Sequence, residues 1–364
     1  MKIREIIAAL EQFAPLPLQD GYDNSGLQIG LTDVEATGAL LCLDVTEKVI
    51  DEAIELGYNL IIAHHPLLFK GCKSITGKDY IERCIIQAIK HDLVIYAAHT
   101  NLDNTWGGVS HKIAQLIGLK NTQVLAPKSE TLLKLVTFVP SEQAEEVRKA
   151  LFAAGAGSIG DYDSCSYNLE GEGTFKAGEG TNPFCGTVNK LHKEKEIRIE
   201  TILPAYLKGK VLAALLKSHP YEEPAFDLYA LENSWNRAGA GVVGDLEISM
   251  PEKEFLLKIK ELFNVGCIKH GELRGREIKR VALCGGSGSF LIPAAIGNQA
   301  DVFLTGDIKY HDYFGKEEDI LLADIGHYES EQYTKELFYS IIQDLFPNFA
   351  VQISKVNTNP IKYL

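Results

Sequence analysis

The sequence predicts an α/β protein: two α/β lobes of mainly parallel strands forming one core domain, with a ferredoxin-like α+β domain inserted between them. Three observations carry this expectation. Short apolar runs of strand length recur at both ends of the chain: "GALLCLDV" (38–45), "NLIIA" (59–63), "VIYAA" (94–98), "RVALC" (280–284), "DVFLT" (301–305) and "ILLAD" (320–324). Strands that are apolar on both faces belong to parallel sheets covered by helices. Segments with apolar residues at helical spacing lie between the early runs. The middle of the chain then changes texture, reading strand–helix–strand twice in about 100 residues, as a ferredoxin-like unit does.

The elements follow in order. "MKIREIIAALEQFAPLP" places Ile3, Ile6, Ile7, Leu10 and Phe13 on one helical face. "TEKVIDEAIELG" (46–57) buries Val49, Ile50, Ala53 and Ile54, with Thr46 as N-cap and Gly57 just past the end. "DYIERCIIQAIK" (79–90) turns Ile81, Cys84, Ile85, Ala88 and Ile89 inward, and "GVSHKIAQLIG" (108–118) is a further helix. "KLVTFVPSEQAEEVRKALFAAG" (134–155) reads strand, proline, helix. The polar, Gly-rich "GEGTFKAGEGTNPF" (171–184) follows, then strand, helix, strand over 196–232. "GHYESEQYTKELFYSIIQDLF" (326–346) ends in a helix with Leu337, Phe338, Ile341, Ile342 and Leu345 inward. Turn-forming or small residues place the joints near Ala126–Glu130 and Asn233–Gly239. The expected partition is a discontinuous core of residues 1–125 and 235–364 and an insert of residues 126–234.

Bulk properties narrow the function. A chain of 364 residues is too long for one ordinary core. No run of about 18 apolar residues exists, so no membrane-spanning helix is expected. The first helix carries Arg4 and Glu5 where a signal peptide needs an unbroken apolar stretch. The seven cysteines contain no CxxC, which reads as reduced thiols in a cytoplasmic protein. A net charge of −13 argues against a nucleic-acid partner but admits a small nucleotide-like ligand at a metal site.

The chemistry-bearing residues cluster just beyond strand ends, the edge where open α/β sheets bind ligands. His64 and His65 follow the second strand. His99 and Asp103 follow the third in "HTNLD". His327, Glu329 and Glu331 follow the last in "DIGHYESE". Adjacent residues of an extended chain point to opposite sides, so His64 and His65 can reach two neighbouring ions but hardly one. Dinuclear sites also need carboxylates, and Asp103 and Glu331 are on offer. His327 and Glu331 share a helical face, whereas Glu329 points elsewhere. A single histidine at a strand end is ordinarily a polar residue leaving the core, Asp103 alone fits a helix cap, and Glu331 alone an ordinary first-turn acid. Three segments converging outweigh those separate readings. His99, Asp307 and His311 are candidates for moving protons; His99 reads better as a residue that orients a ligand, or it caps the strand, while Asp307 and His311, four apart, would support a ligand or face substrate, or form only a turn and a helix start. "CGGSGS" (284–289) suits close backbone approach to a ligand but lacks the P-loop lysine and the GxGxxG spacing. Ser287 within it is a weak nucleophile candidate. "YDNSGLQIG" (22–30) reads as a polar turn at a pocket mouth, and "SHPYEEP" (218–224) as structural or interfacial.

Taken together, "AHHPLLF", "AHTNLD", "TGD" and "GHYESE" resemble the Nif-three-like family, whose members carry the label "GTP cyclohydrolase I type 2 homolog". The resemblance implies a two-lobed α/β protein assembling as a toroidal homohexamer, with two divalent metal ions per subunit. By motif the ligands would be His64, His65, Asp103, His327 and Glu331. "HPYEEPAFDLY" resembles a segment of CutA proteins, which implies a PII/CutA-like insert. Mixed His/carboxylate ligation suits Zn²⁺, Fe²⁺ or Mn²⁺ better than Ca²⁺. The expected function is a metal-dependent hydrolase, cyclohydrolase-like or acting on phosphoesters or nucleotides. The alternatives are a metal- and ligand-binding regulatory or scaffold protein, and a serine hydrolase built on Ser287.

Overall fold

A computed structural model of the chain describes residues 1–129 and 131–364. Glu130, at one expected joint, lies outside the described residues. The chain is mixed α/β and divides into two compact units, Met1–Pro127 with Arg237–Leu364, and Lys128–Asn236.

The first unit contains two sheets. One has the order Gly26–Ile29, Val94–Ala97, Leu60–Ala63, Ala39–Cys42, Val351–Ile353. Its pairings are parallel except that of Gly26–Ile29 with Val94–Ala97. The continuous apolar runs are explained by strand alternation. Leu41, Leu60, Ile62, Val94 and Tyr96 enter one core cluster, while Leu40, Cys42, Ile61, Ala63 and Ile95 enter another on the opposite face. That second cluster is completed by Val49, Ile50 and Ala53 of helix Glu47–Leu56 and Cys84, Ile85 and Ala88 of helix Tyr80–Lys90.

The other sheet runs Lys269–His270, Leu321–Asp324, Val302–Gly306, Glu277–Ser287, Trp235–Pro251, Lys120–Lys128. Its three central strands are parallel, and Lys269–His270 and Trp235–Pro251 pair antiparallel to them. Both sheets contribute to one shared cluster. Helices Ile3–Phe13, Val109–Ile117, Glu252–Leu262 and Thr334–Leu345 pack into it through Ile6, Ile113, Phe255 and Phe338.

The second unit is a four-stranded antiparallel sheet, ordered Tyr167–Lys176, Leu191–Pro204, Leu132–Pro140, Phe226–Leu231. Helices Ala144–Ala153 and Lys208–Ser218 cover it, with Val147, Leu151, Val211 and Leu215 packed on Leu135, Val139, Ile199 and Leu203.

Some local expectations are corrected. Residues 26–29, read as part of a turn, form an antiparallel edge strand. The Gly-rich stretch begins inside a ten-residue strand, where pairing with Leu191–Pro204 outweighs the poor strand propensity of glycine. Ile89 and Leu345, expected inside, are exposed. Each lies in the last turn of its helix, beyond the stripe that reaches the core.

Candidate metal centre

The strand Leu60–Ala63 ends directly at His64 and His65, whose backbone amides bond to the carbonyls of Cys42 and Leu43. His64 is fully buried and its Nδ1 lies 2.9 Å from the Ala98 carbonyl oxygen. His65 turns away, and its Nδ1 lies 2.7 Å from Asp44 Oδ1. Asp44 is fixed in turn by the Thr358 hydroxyl at 2.6 Å. The short helix His327–Glu331 begins after strand Leu321–Asp324, and His327 Nδ1 lies 2.7 Å from Asp307 Oδ2. Asp307 follows strand Val302–Gly306 with φ +56°, a left-handed conformation that aspartate tolerates better than most residues. Three imidazoles therefore have Nδ1 engaged by an oxygen, which leaves Nε2 to face one another and the acids.

Glu331 sits at their centre. Its Oε2 lies 3.0 Å from His65 Nε2 and 3.1 Å from His327 Nε2, and its Oε1 lies 3.5 Å from His64 Nε2. Asp103, delivered by the turn of helix Thr100–Asp103, places Oδ1 3.7 Å from His64 Nε2. Two groups result that share one carboxylate: His64, Asp103 and Glu331, and His65, His327 and Glu331. The five residues picked from sequence are thus brought together. Glu329 is not among them; its carboxylate accepts a bond from Asn359.

The donor set fits divalent cations. His64 Nε2 and Asp103 Oδ1 are both buried and have no hydrogen-bond partner. Such orphaned buried atoms are costly unless something binds them. Electrostatics agrees. Burial opposes the Glu331 charge, but the surrounding imidazoles of His64, His327 and His65 hold its carboxyl well below the usual range. Burial, reinforced by Glu331, pushes Asp103 up. Burial pushes His64 down, toward the neutral imidazole that a metal needs. Burial would lower His65 too, but Asp44 and Glu331 carry it to about 9. The same balance, with Asp307 and Glu331 as partners, carries His327 to about 11. The acids around His65 and His327 thus favour positive charge at this point, the charge a cation would supply.

The proton-transfer candidates separate. His99 is at the cluster, its ring centroid 5.3 Å from that of His64 and 5.4 Å from that of His65. Its Nδ1 lies 2.7 Å from Asp23 Oδ1, and the other Asp23 oxygen accepts from Ser25 Oγ and from the Thr100 amide and hydroxyl. Asp307 serves His327. His311 joins none of the metal-ligand groups; its exposed ring packs with Tyr310 and Phe314. Among the described residues, no hydrogen bond links the exposed Ser287 side chain to a base.

The Gly-rich loop has a different use from the one its sequence implies. A β-carbon on Gly286, at φ +63°, would meet Glu331 Oε1 at 2.2 Å, and the Gly286 amide bonds to Ser330 Oγ at 3.0 Å. The backbone approaches a protein carboxylate rather than a phosphate. Sequence reasoning missed Asp23 and Asp44. Asp44 was findable, since it ends an apolar run at the same sheet edge. Asp23 lies in the polar turn expected at a pocket mouth, but nothing in that turn marked it as the partner of His99. In the second unit, His219 of "SHPYEEP" links the Phe138 carbonyl to the Tyr221 amide, and Glu222 accepts from the Asn182 amide, while Tyr221, Glu222 and Glu223 line a cavity.

Comparison with known proteins identifies the family. The family description Duf34/NIF3 (NGG1p interacting factor 3) matches residues 1–360. A protein of Halalkalibacterium halodurans named "GTP cyclohydrolase 1 type 2 homolog" is 43% identical over 364 residues, spanning 99% of this chain and 98% of its own. A Bacillus subtilis protein of the same name is 40% identical, with the same two coverages. The crystal structure of a Bacillus cereus protein related to NIF3 superposes with TM-score 0.87 at 39% identity, covering 100% of this chain and 99% of the other. The chain belongs to the Duf34/NIF3 family.

Proposed function

We propose that the chain binds two divalent ions, one at His64 and Asp103 and one at His65 and His327, with Glu331 bridging them, and that it is a metal-dependent hydrolase. The observation that carries this reading is the Glu331 carboxylate, whose two oxygens face His64 on one side and His65 with His327 on the other. Bound there, Zn²⁺, Fe²⁺ or Mn²⁺ would supply Lewis acidity and acidify water near neutral pH. The chain itself does the rest. Asp44, Asp307 and the Ala98 carbonyl keep the Nδ1 protons, so that Nε2 stays available. His99, held by Asp23, is the group placed to hold or move a proton beside the pair. The relatives' name points to hydrolytic ring opening in GTP or a nucleotide-like compound; phosphoester hydrolysis suits the same donor set.

A second reading, a metal- and ligand-binding regulator without turnover, is favoured by one observation. A cavity of about 690 Å³ is lined by residues of the second unit, among them Phe175, Glu196, Arg198 and Tyr221. We read that unit as an inserted PII/CutA-like domain, supported by its antiparallel four-stranded sheet and two helices. The family resemblance extends this reading to a cytoplasmic, toroidal homohexamer, testable by sedimentation. Among the described residues no helix is long and apolar enough to cross a membrane.

The deciding experiment loads the metal-free chain with each ion and screens phosphoesters, nucleotides and cyclic amides. Turnover that disappears, together with bound metal, in His65→Ala and Glu331→Ala supports the hydrolase. Saturable ligand binding without turnover supports the regulator. Metal content in both variants equal to that of the unaltered chain would remove the site.

A further inference from the structure

A second metal-ligand group lies in the Lys128–Asn236 unit, apart from the residues of the histidine cluster. Cys185, His192 and Glu194 bring one thiol, one imidazole and one carboxylate oxygen within 4.8 Å of one another. His192 and Glu194 are two residues apart on strand Leu191–Pro204 and so share a face. His192 Nε2 lies 2.9 Å from Glu194 Oε2, and His192 is the ion-pair partner shown for Glu194. The segment after strand Tyr167–Lys176 delivers Cys185 to them.

The local chain is shaped around this group. Gly186 has φ +82°, and a β-carbon there would meet the His192 ring at 2.9 Å, so the backbone beside Cys185 lies directly against the imidazole. The Cys185 thiol faces Tyr221 Oη at 3.7 Å, and that hydroxyl donates to Glu196 at 2.8 Å. Phe175 flanks His192 at 5.3 Å and Tyr221 at 5.8 Å between ring centroids. All three donor residues are half-buried, which leaves an entry path.

We propose that Cys185, His192 and Glu194 form a mononuclear site for a borderline-soft divalent cation of the zinc class. One thiolate, one imidazole and one carboxylate with a vacant fourth position is a donor set zinc accepts, and the thiolate discriminates against magnesium and calcium. The thiol loses its proton to solvent on binding. Burial raises the Cys185 thiol above its ordinary value, an opposition that a cation on the sulfur would reverse. The bound ion would tie the 177–190 segment to strand Leu191–Pro204. Thr181, Pro183 and Phe184 of that segment line the 690 Å³ cavity, so the ion would fix one of its walls.

Cobalt(II) titration of the metal-depleted full chain tests this. The five proposed ligands of the dinuclear centre include no thiol, so a thiolate-to-cobalt charge-transfer band in the near ultraviolet reports on a cysteine site and not on that centre, and its loss in Cys185→Ser assigns it to Cys185 rather than to another free thiol. The band should appear at stoichiometric cobalt, persist in Glu331→Gln, and vanish in Cys185→Ser and His192→Gln. Its persistence in Glu331→Gln also separates this site from the fate of the dinuclear reading. Zinc should likewise slow alkylation of Cys185 in the unaltered chain while the exposed Cys72 and Cys267 react as before; this needs no variant to fold. No band, a band only in large cobalt excess (an adventitious ion only), a band surviving Cys185→Ser, or unchanged alkylation of Cys185 would each overturn the proposal.

Discussion

The Gly286 backbone and the Glu331 carboxylate lie so close that a β-carbon on Gly286 would sit 2.2 Å from Oε1. Glu331 is buried and has no free direction of retreat between three imidazoles. Gly286→Ala must therefore displace the proposed bridging oxygen, and affinity for both ions should fall by roughly 10–100-fold, as it does when a ligand's support is removed. Gly57→Ala is the control. Gly57 has a similar φ of +70° with open space around it, so that variant should lose roughly 1–2 kcal/mol of stability and no metal. Chelator-competition titrations of both variants decide the matter; equal affinities would show that the contact is incidental.

Asp44 and Asp307 act through the imidazoles they hold. Each carboxylate lies 2.7 Å from an Nδ1, on His65 and His327 respectively. Asp44→Asn and Asp307→Asn retain shape and lose charge, making each imidazole a poorer donor. The ion at His65 and His327 should weaken by roughly 10–100-fold in either variant. The ion at His64, whose Nδ1 faces the Ala98 carbonyl, should change much less. Stepwise titration by calorimetry resolves the two; parallel loss of both ions would contradict the division of ligands.

The legible parts of this molecule were those fixed locally. The apolar runs at 39–42, 60–63, 94–97 and 302–306 became strands because both faces of each are covered. Thr46 and Gly57 bound their helix as the capping rules require, Thr46 accepting from the Val49 amide and Gly57 turning left-handed. The histidines and acids stood out because they follow the carboxyl ends of apolar strands, although those strands belong to two sheets: His64, His65, His99 and Asp103 follow strands of one, and His327 and Glu331 follow a strand of the other. Parts that depend on pairing at a distance were not legible. Gly26–Ile29 and Tyr167–Lys176 have weak strand patterns and are held by partners 60 or more and about 25 residues away in sequence. The role of Gly286 needed the position of Glu331, which no local pattern encodes.

The two proposed ions should differ in their response to acid. In the metal-free chain His65 holds its proton up to about 9 and His327 up to about 11. Both are raised above an unfolded value of about 6.5, so their ion pairs stabilise the metal-free fold fully below that pH. That contribution is lost as pH rises through about 9 and then about 11. Cation binding runs the other way, because each imidazole must shed its proton to ligate. Near neutral pH the ion at His65 and His327 therefore displaces about two protons. The ion at His64 meets an imidazole that burial keeps neutral, so at most the single proton toward which burial shifts Asp103 opposes it. Acidification should release the His65/His327 ion first, and its affinity should climb more steeply with pH. Calorimetric titrations in buffers of different protonation enthalpy count the protons per ion. Equal counts for both steps would mean that His64, despite its burial, is charged in the metal-free protein.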